Sequence, residues 1–124
     1  MKRNRVILAV DDDEKMLEML NRIFKLEGYD IAMATDGKSA LALFDEHTPD
    51  LVLLDIMMPG LDGFEVLSLI RQRSNVPVVM VTAKCDIPSL HNALVLGADD
   101  YVRKPFSACE VVSRVKAKLR RAEQ

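Results

Sequence analysis

The chain has 124 residues, enough for a single domain with one core, and 49% of them are hydrophobic against 29% charged. Its formal net charge of −2 gives no basic field to draw in nucleic acid or an anionic membrane surface. Cys85 and Cys109 show neither C-x-x-C nor metal-ligand spacing, and no apolar stretch is long enough to span a bilayer. The expectation is a cytoplasmic chain with reduced thiols and no membrane partner.

The opening MKRNRVILAV pairs a basic start with only a short apolar run. Asp11, Asp12 and Asp13 follow where a signal peptide would carry small residues, so none is expected. RVILAV (5–10) reads as a strand covered on both faces. Met16, Leu17, Leu20, Ile23 and Phe24 then mark one stripe of a helix that Gly28 stops. YDIAMA (29–34) is a weaker, alternating strand suited to an edge. Thr35-Asp36-Gly37 turns into a helix carrying Ala40, Leu41 and Phe44, closed by Thr48-Pro49. LVLLD (51–55) is the most apolar strand. The loop after it holds Pro59, Gly60 and Gly63, read as a tight, mobile turn, and Phe64, Leu67 and Ile70 open a third helix. VPVVMVT (76–82) predicts a fourth strand and residues 88–96 a fourth helix, ended by Gly97. DYVRK (100–104) is a short fifth strand, and Val111, Val112, Val115 and Leu119 mark a last helix.

This alternation predicts an α/β fold: a single-domain, doubly wound (βα)5 unit with five parallel strands and helices on both faces of the sheet. Ligand sites in such sheets lie at the carboxyl ends of the strands, near the switch in winding direction. The residues expected there are Asp11 and Asp12, Asp55, Thr82, and Lys104-Pro105. Three crowded carboxylates repel unless a cation compensates, and their hard oxygens suit Mg²⁺. Lys104 and Thr82 can stabilise phosphoryl oxygens, one as a charge and one as a hydroxyl donor. A carboxylate attacking phosphorus is known nucleophilic chemistry, so Asp55 reads as a phosphate acceptor.

The stretches VILAVDDD, LVLLDIMMPGLDGFEVL, VVMVTAK and GADDYVRKPF resemble the receiver domain of two-component response regulators along essentially the whole chain. Steps of 43, 27 and 22 positions separate Asp12, Asp55, Thr82 and Lys104 in turn. The resemblance implies that Asp55 takes a phosphoryl group from a sensor histidine kinase. It implies Mg²⁺ held by Asp12, Asp55 and the Met57 carbonyl with Asp11 helping, Thr82 and Tyr101 as switch residues, and a cis bond before Pro105. Met57 and Lys84 would flank the phosphate and tune its loss.

The final third, GADDYVRKPFSACEVVSRVKAKLRR, looks most like receivers fused to winged-helix DNA-binding domains, which dimerise on phosphorylation. The implied dimer face is Leu90, Leu94, Asp99, Asp100, Glu110, Val112, Arg114 and Arg121. Asp100 would pair with Arg114 and Asp99 with Arg121, while Leu90 replaces the basic partner of Glu110. With Pro88, His91 and Val95 on the same helix, its face should be more apolar than the class norm. The expectation is a piece of a longer transcription regulator that reaches DNA only through an output domain absent here, with residues 119–124 beginning a linker. A stand-alone receiver acting by protein binding is the alternative, and a phosphorylation-independent receiver is disfavoured by the completeness of the acid set.

Other readings are weaker. Asp11 and Asp12 as mere helix caps leave two acids unexplained, because Asp13 can cap. A calcium loop fails at Lys15 and lacks the glycine that should follow. A Mg²⁺-dependent aspartyl-phosphate hydrolase would want an acid at Met57 and a cap over its substrate. A nucleotide- or flavin-binding domain would want G-x-G-x-x-G after the first strand. The chain is therefore read as no enzyme beyond its own phosphorylation and dephosphorylation. His47 and His91 read as isolated surface histidines.

Overall fold

The computed structural model describes residues 3–122. Five strands alternate with five helices: β1 (Val6–Val10), α1 (Glu14–Leu26), β2 (Asp30–Ala34), α2 (Gly37–His47), β3 (Leu51–Leu54), α3 (Gly63–Arg71), β4 (Val78–Thr82), α4 (Ile87–Leu96), β5 (Asp100–Arg103) and α5 (Ala108–Ala122). All pairings are parallel and the strand order is β2-β1-β3-β4-β5, so β2 is an edge strand as its weaker pattern predicted. Of the expected linker stretch, Glu123 and Gln124 lie outside the described residues, while residues 119–122 complete α5.

Period-two alternation along the strands divides the core into two layers. Leu8, Val10, Val52, Leu54, Val78 and Met80 meet Ala40 and Phe44 of α2, Val66, Leu67 and Ile70 of α3, and Ala93 of α4. The intervening Ile7, Ala9, Leu51, Leu53, Val79 and Val81 meet Leu17, Leu20 and Phe24 of α1 and Val111, Val115 and Leu119 of α5. Both faces of β1, β3 and β4 are therefore covered, which is why their sequences read as continuous apolar runs.

Aspartates set the starts of four helices. Asp13 caps α1, accepting from the Lys15 and Met16 N–H groups, and Asp36, Asp62 and Asp86 do the same for α2, α3 and α4. At Asp62 the cap is reciprocal, with Glu65 reaching back to the Asp62 N–H. Because Asp13 does the capping, Asp11 and Asp12 are left over at the end of β1. The winding direction reverses between β1 and β3, and the crevice there receives these two acids together with Asp55.

Candidate functional site

Asp11 and Asp55 each follow a strand whose last four residues are buried, and backbone bonds fix both. The Asp11 N–H donates to the Ala34 carbonyl and the Asp55 N–H to the Val10 carbonyl. Only 2% of Asp11 and 5% of Asp55 is exposed, whereas Asp12 faces solvent. Carboxylate oxygens of all three lie within 4.8 Å of one another.

Lys104, one residue beyond β5, supplies the balancing charge. Its Nζ donates to Asp11 Oδ2 at 2.6 Å and to Asp55 Oδ2 at 3.0 Å. Burial opposes its charge, but the bonds to Asp11 and then Asp55 outweigh that and raise its pKa. Asp11 moves the other way for an acid. Burial raises its pKa, the bonds from Lys104 and from the Asp13 N–H pull it down, and the charge of Asp55 pushes it up again. The net rise comes first from burial, and three carboxylates facing one ammonium leave the cluster short of positive charge. That deficit, the hard oxygens and the exposure of Asp12 fit a small divalent cation. The Lys104–Pro105 peptide is cis.

The remaining predicted residues sit around this cluster. Thr82 ends β4 fully buried, and its hydroxyl accepts from the Lys84 N–H at 3.2 Å. No hydrogen bond among the described residues joins it to the acids. The Tyr101 hydroxyl donates to the Lys84 carbonyl, tying β5 to the loop between β4 and α4. Burial first, and then nearby Cys85, Asp86 and Asp55, push the Tyr101 pKa up to about 12. The Lys84 ammonium stands 3.6 Å from Asp86. Met57 is 60% exposed, and with Asp12 and Lys84 it borders an open cleft of about 440 Å³ floored by Ile56, Met58, Pro59 and Phe64. His47 and His91 are exposed.

Two expectations need correction. Gly63 is not part of a mobile turn. It is the buried first residue of α3, its N–H bonds the Ile56 carbonyl at 2.8 Å, and a Cβ there would stand 2.2 Å from the Asp55 carbonyl oxygen. The positive φ of that loop belongs to Gly60 instead, at +75°. Within the chain, Arg71 holds Asp99 at 2.8 Å and the Val78 N–H donates to it as well. Val112 is turned away from the expected dimer face. It packs with the α1 layer and lines a groove with Ile23, Leu26 and Cys109, since two residues on a helix are about 200° apart and Glu110 points the other way.

Within the one chain Arg114 donates to Asp100 at 2.9 and 3.1 Å and also lies 3.7 Å from Glu110. Arg71 was not singled out by its sequence. From the end of α3 it donates to the carbonyls of Gly97, Ser74 and Val76 as well as to Asp99. An arginine in the last turn of an amphipathic helix gives no sign of partners 26 and 28 residues away.

Residues 7–116 match the model of the response regulator receiver domain. The chain belongs to the response regulator receiver family. Among relatives of this receiver, the DNA-binding response regulator MtrA of Mycolicibacterium smegmatis is 50% identical over 117 residues, 94% of this chain and 51% of that protein. MtrA of Mycobacterium tuberculosis H37Rv is 50% identical over 115 residues, again about half of its own length. The receiver thus spans about half the length of the curated relatives it matches. Its fold is similar to a CheY-like receiver domain protein from Methanospirillum hungatei, with a TM-score of 0.93, 30% identity and 98% of each chain covered. A two-component response regulator from Clostridium difficile superposes with a TM-score of 0.94 at 30% identity, covering 98% of this chain and all of the other.

Proposed function

We propose that this receiver accepts a phosphoryl group on Asp55 from the phosphohistidine of a sensor kinase and passes the change to its α4–β5–α5 face. The observation that carries this reading is the Lys104 ammonium bridging Asp11 and Asp55 beside Asp12 at the winding switch. Asp12, Asp55 and the Met57 carbonyl would hold Mg²⁺ with help from Asp11, and the ion would offset phosphate charge as the phosphoryl group arrives. Asp55 Oδ attacks phosphorus, forming a P–O bond as the P–N bond to the donor imidazole breaks. Lys104 leaves its partner oxygen on Asp55 for a phosphoryl oxygen, at nearly unchanged charge balance. Thr82 gives up the Lys84 N–H and donates its hydroxyl to another phosphoryl oxygen. That exchange loosens residue 84, whose carbonyl holds Tyr101, and so carries the event to β5 and α4. Met57 and Lys84 border the open cleft, so the water that removes the phosphate passes them.

The output is binding, not turnover of a substrate. We read the whole protein as a cytoplasmic transcription regulator, on the strength of its likeness to the MtrA proteins, with phosphorylation driving homodimerisation and DNA contacted by an output domain. The test is intact mass after incubation with acetyl phosphate. A single phosphoryl adduct that needs both Mg²⁺ and Asp55, and is lost in Asp55→Asn, supports the reading. No adduct from acetyl phosphate or from a phosphorylated histidine kinase overturns it.

A further inference from the structure

Arg71, the last residue of α3, has 19% of its side chain exposed and divides its guanidinium among three segments. Nη1 donates to the Val76 carbonyl at 2.7 Å and to the Ser74 carbonyl at 3.3 Å, and Nη2 donates to Asp99 Oδ2 at 2.8 Å. Asp99 is itself tied to β4. The same oxygen accepts from the Val78 N–H, and the Asp99 N–H donates to the Val78 carbonyl. A planar fork held at two nitrogens leaves the third, Nε, aimed in one direction. Nε donates to the Gly97 carbonyl at 3.0 Å.

Gly97 is the C-cap of α4, at φ +102°, and a Cβ there would stand 3.0 Å from Arg71 Nε. Glycine thus serves both the left-handed turn and the close approach of the arginine. Among the described residues, this is the one hydrogen bond from residues 87–97 to another helix or strand. The helix fully buries only Ser89 and Ala93, whereas α3 buries four residues and α5 three. One polar tie therefore carries a large share of what fixes this end of α4. The tie is short-ranged, because a displacement of about 1 Å along the bond takes donor and acceptor past roughly 3.6 Å, where no hydrogen bond is left.

We propose that Arg71 is a latch on the resting position of α4, holding the Gly97 carbonyl while Asp55 is free and losing it when the occupied site draws the helix away. The arginine is the fixed half, because its bonds to Ser74, Val76 and Asp99 all lie outside the helix. Gly97 is the half that leaves. Thr82 and Tyr101 hold Lys84 just before α4 begins, so the two ties bracket the helix at its two ends. Arg71 makes no hydrogen bond to the acid cluster and acts as a positioning residue. A bond present in one state and absent in the other favours the state that has it, so the latch sets how firmly the unphosphorylated chain rests. The proposal rests on the receiver reading above, in which occupancy of Asp55 reaches α4.

The test uses beryllofluoride with Mg²⁺ as the phosphoryl stand-in and needs no variant for its first arm. In the wild type, NMR follows exchange of the Arg71 Nε–H proton with water. The latch predicts exchange at least about tenfold faster once beryllofluoride is bound, with the Val78 amide, which donates to Asp99, unchanged. In the second arm, Arg71→Lys keeps a cation for Asp99 but loses the fork that reaches Gly97 and Val76 together. It should bind beryllofluoride at least about threefold tighter than the wild type, because only the resting state has lost a bond. A merely structural arginine would leave that affinity unchanged or weaken it. An Nε–H equally protected in both states, or an Arg71→Lys affinity no tighter than the wild type, overturns the latch and leaves the receiver reading standing. No beryllofluoride binding by the wild type, or equal binding by Asp55→Asn, overturns both.

Discussion

The acid edge and the outer face of α4 meet opposite demands within one sheet. At the edge, Asp11 and Asp55 are buried, their backbone N–H groups are tied to neighbouring strands, and a single lysine spans them. On α4 the exposed side chains are apolar, and only Ser89 and Ala93 anchor the helix fully in the core. The first arrangement holds a reactive oxygen still. The second leaves a helix that buries only two side chains fully. The contrast teaches that one loop, residues 83–86, stands between the acids and α4, and that Tyr101 and Thr82 grip that loop at Lys84.

The largest effect that would break this contrast is at Lys104. Lys104→Met leaves two buried acids without their cation and should cost about 3 kcal/mol in EDTA, read by urea unfolding. Mg²⁺ should then raise the melting temperature more in the variant than in the wild type, because the ion replaces the missing charge. An equal Mg²⁺ response in both would show that lysine and metal do not share the site. Next comes Gly63→Ala, whose Cβ meets backbone at 2.2 Å and cannot be relieved by a side chain moving away. It should lose about 2 to 3 kcal/mol and slow adduct formation at Asp55, since the displaced atom is the Asp55 carbonyl.

Asp11 gives a pH signature. Its folded pKa is raised above the unfolded value near 3.8, so its contribution favours folding below that pH and is lost as pH rises through the folded value. Without Mg²⁺, Asp11→Asn should therefore gain stability relative to the wild type on going from pH 3 to pH 7. A difference that stays flat, or falls, would contradict the burial cost assigned to this acid. The smallest effect is at Tyr101. Tyr101→Phe removes one hydroxyl donor to a partly exposed carbonyl, should cost about 1 kcal/mol or less, and should leave the Asp55 adduct unchanged while amides 83–86 exchange faster.

Much of this was legible in the sequence, because the strands of a parallel sheet announce themselves and the acids sit at fixed distances after them. Asp13 as the helix cap, Asp11 and Asp12 as the surplus, and Lys104 at the end of β5 all follow from local pattern. What was hidden depends on contacts between distant segments. The Arg71–Asp99 pair joins residues 28 positions apart, and neither residue's local pattern announces the other. Gly63 looked like turn chemistry, yet its role is the close approach of α3 to the Asp55 backbone, which no single-residue preference reports. Val112 went to the α1 side because helix rotation, not residue type, decides which face a valine takes.

The central claim is that occupancy of Asp55 moves α4 while the strands that carry the acids stay fixed. Hydrogen exchange measured by mass spectrometry, with and without beryllofluoride and Mg²⁺, tests it in one experiment. The account predicts altered exchange across residues 83–97, unchanged exchange in β1 and β3, and no response at all in Asp55→Asn. Bound beryllofluoride with unaltered exchange in α4, or the same response in Asp55→Asn, would contradict it.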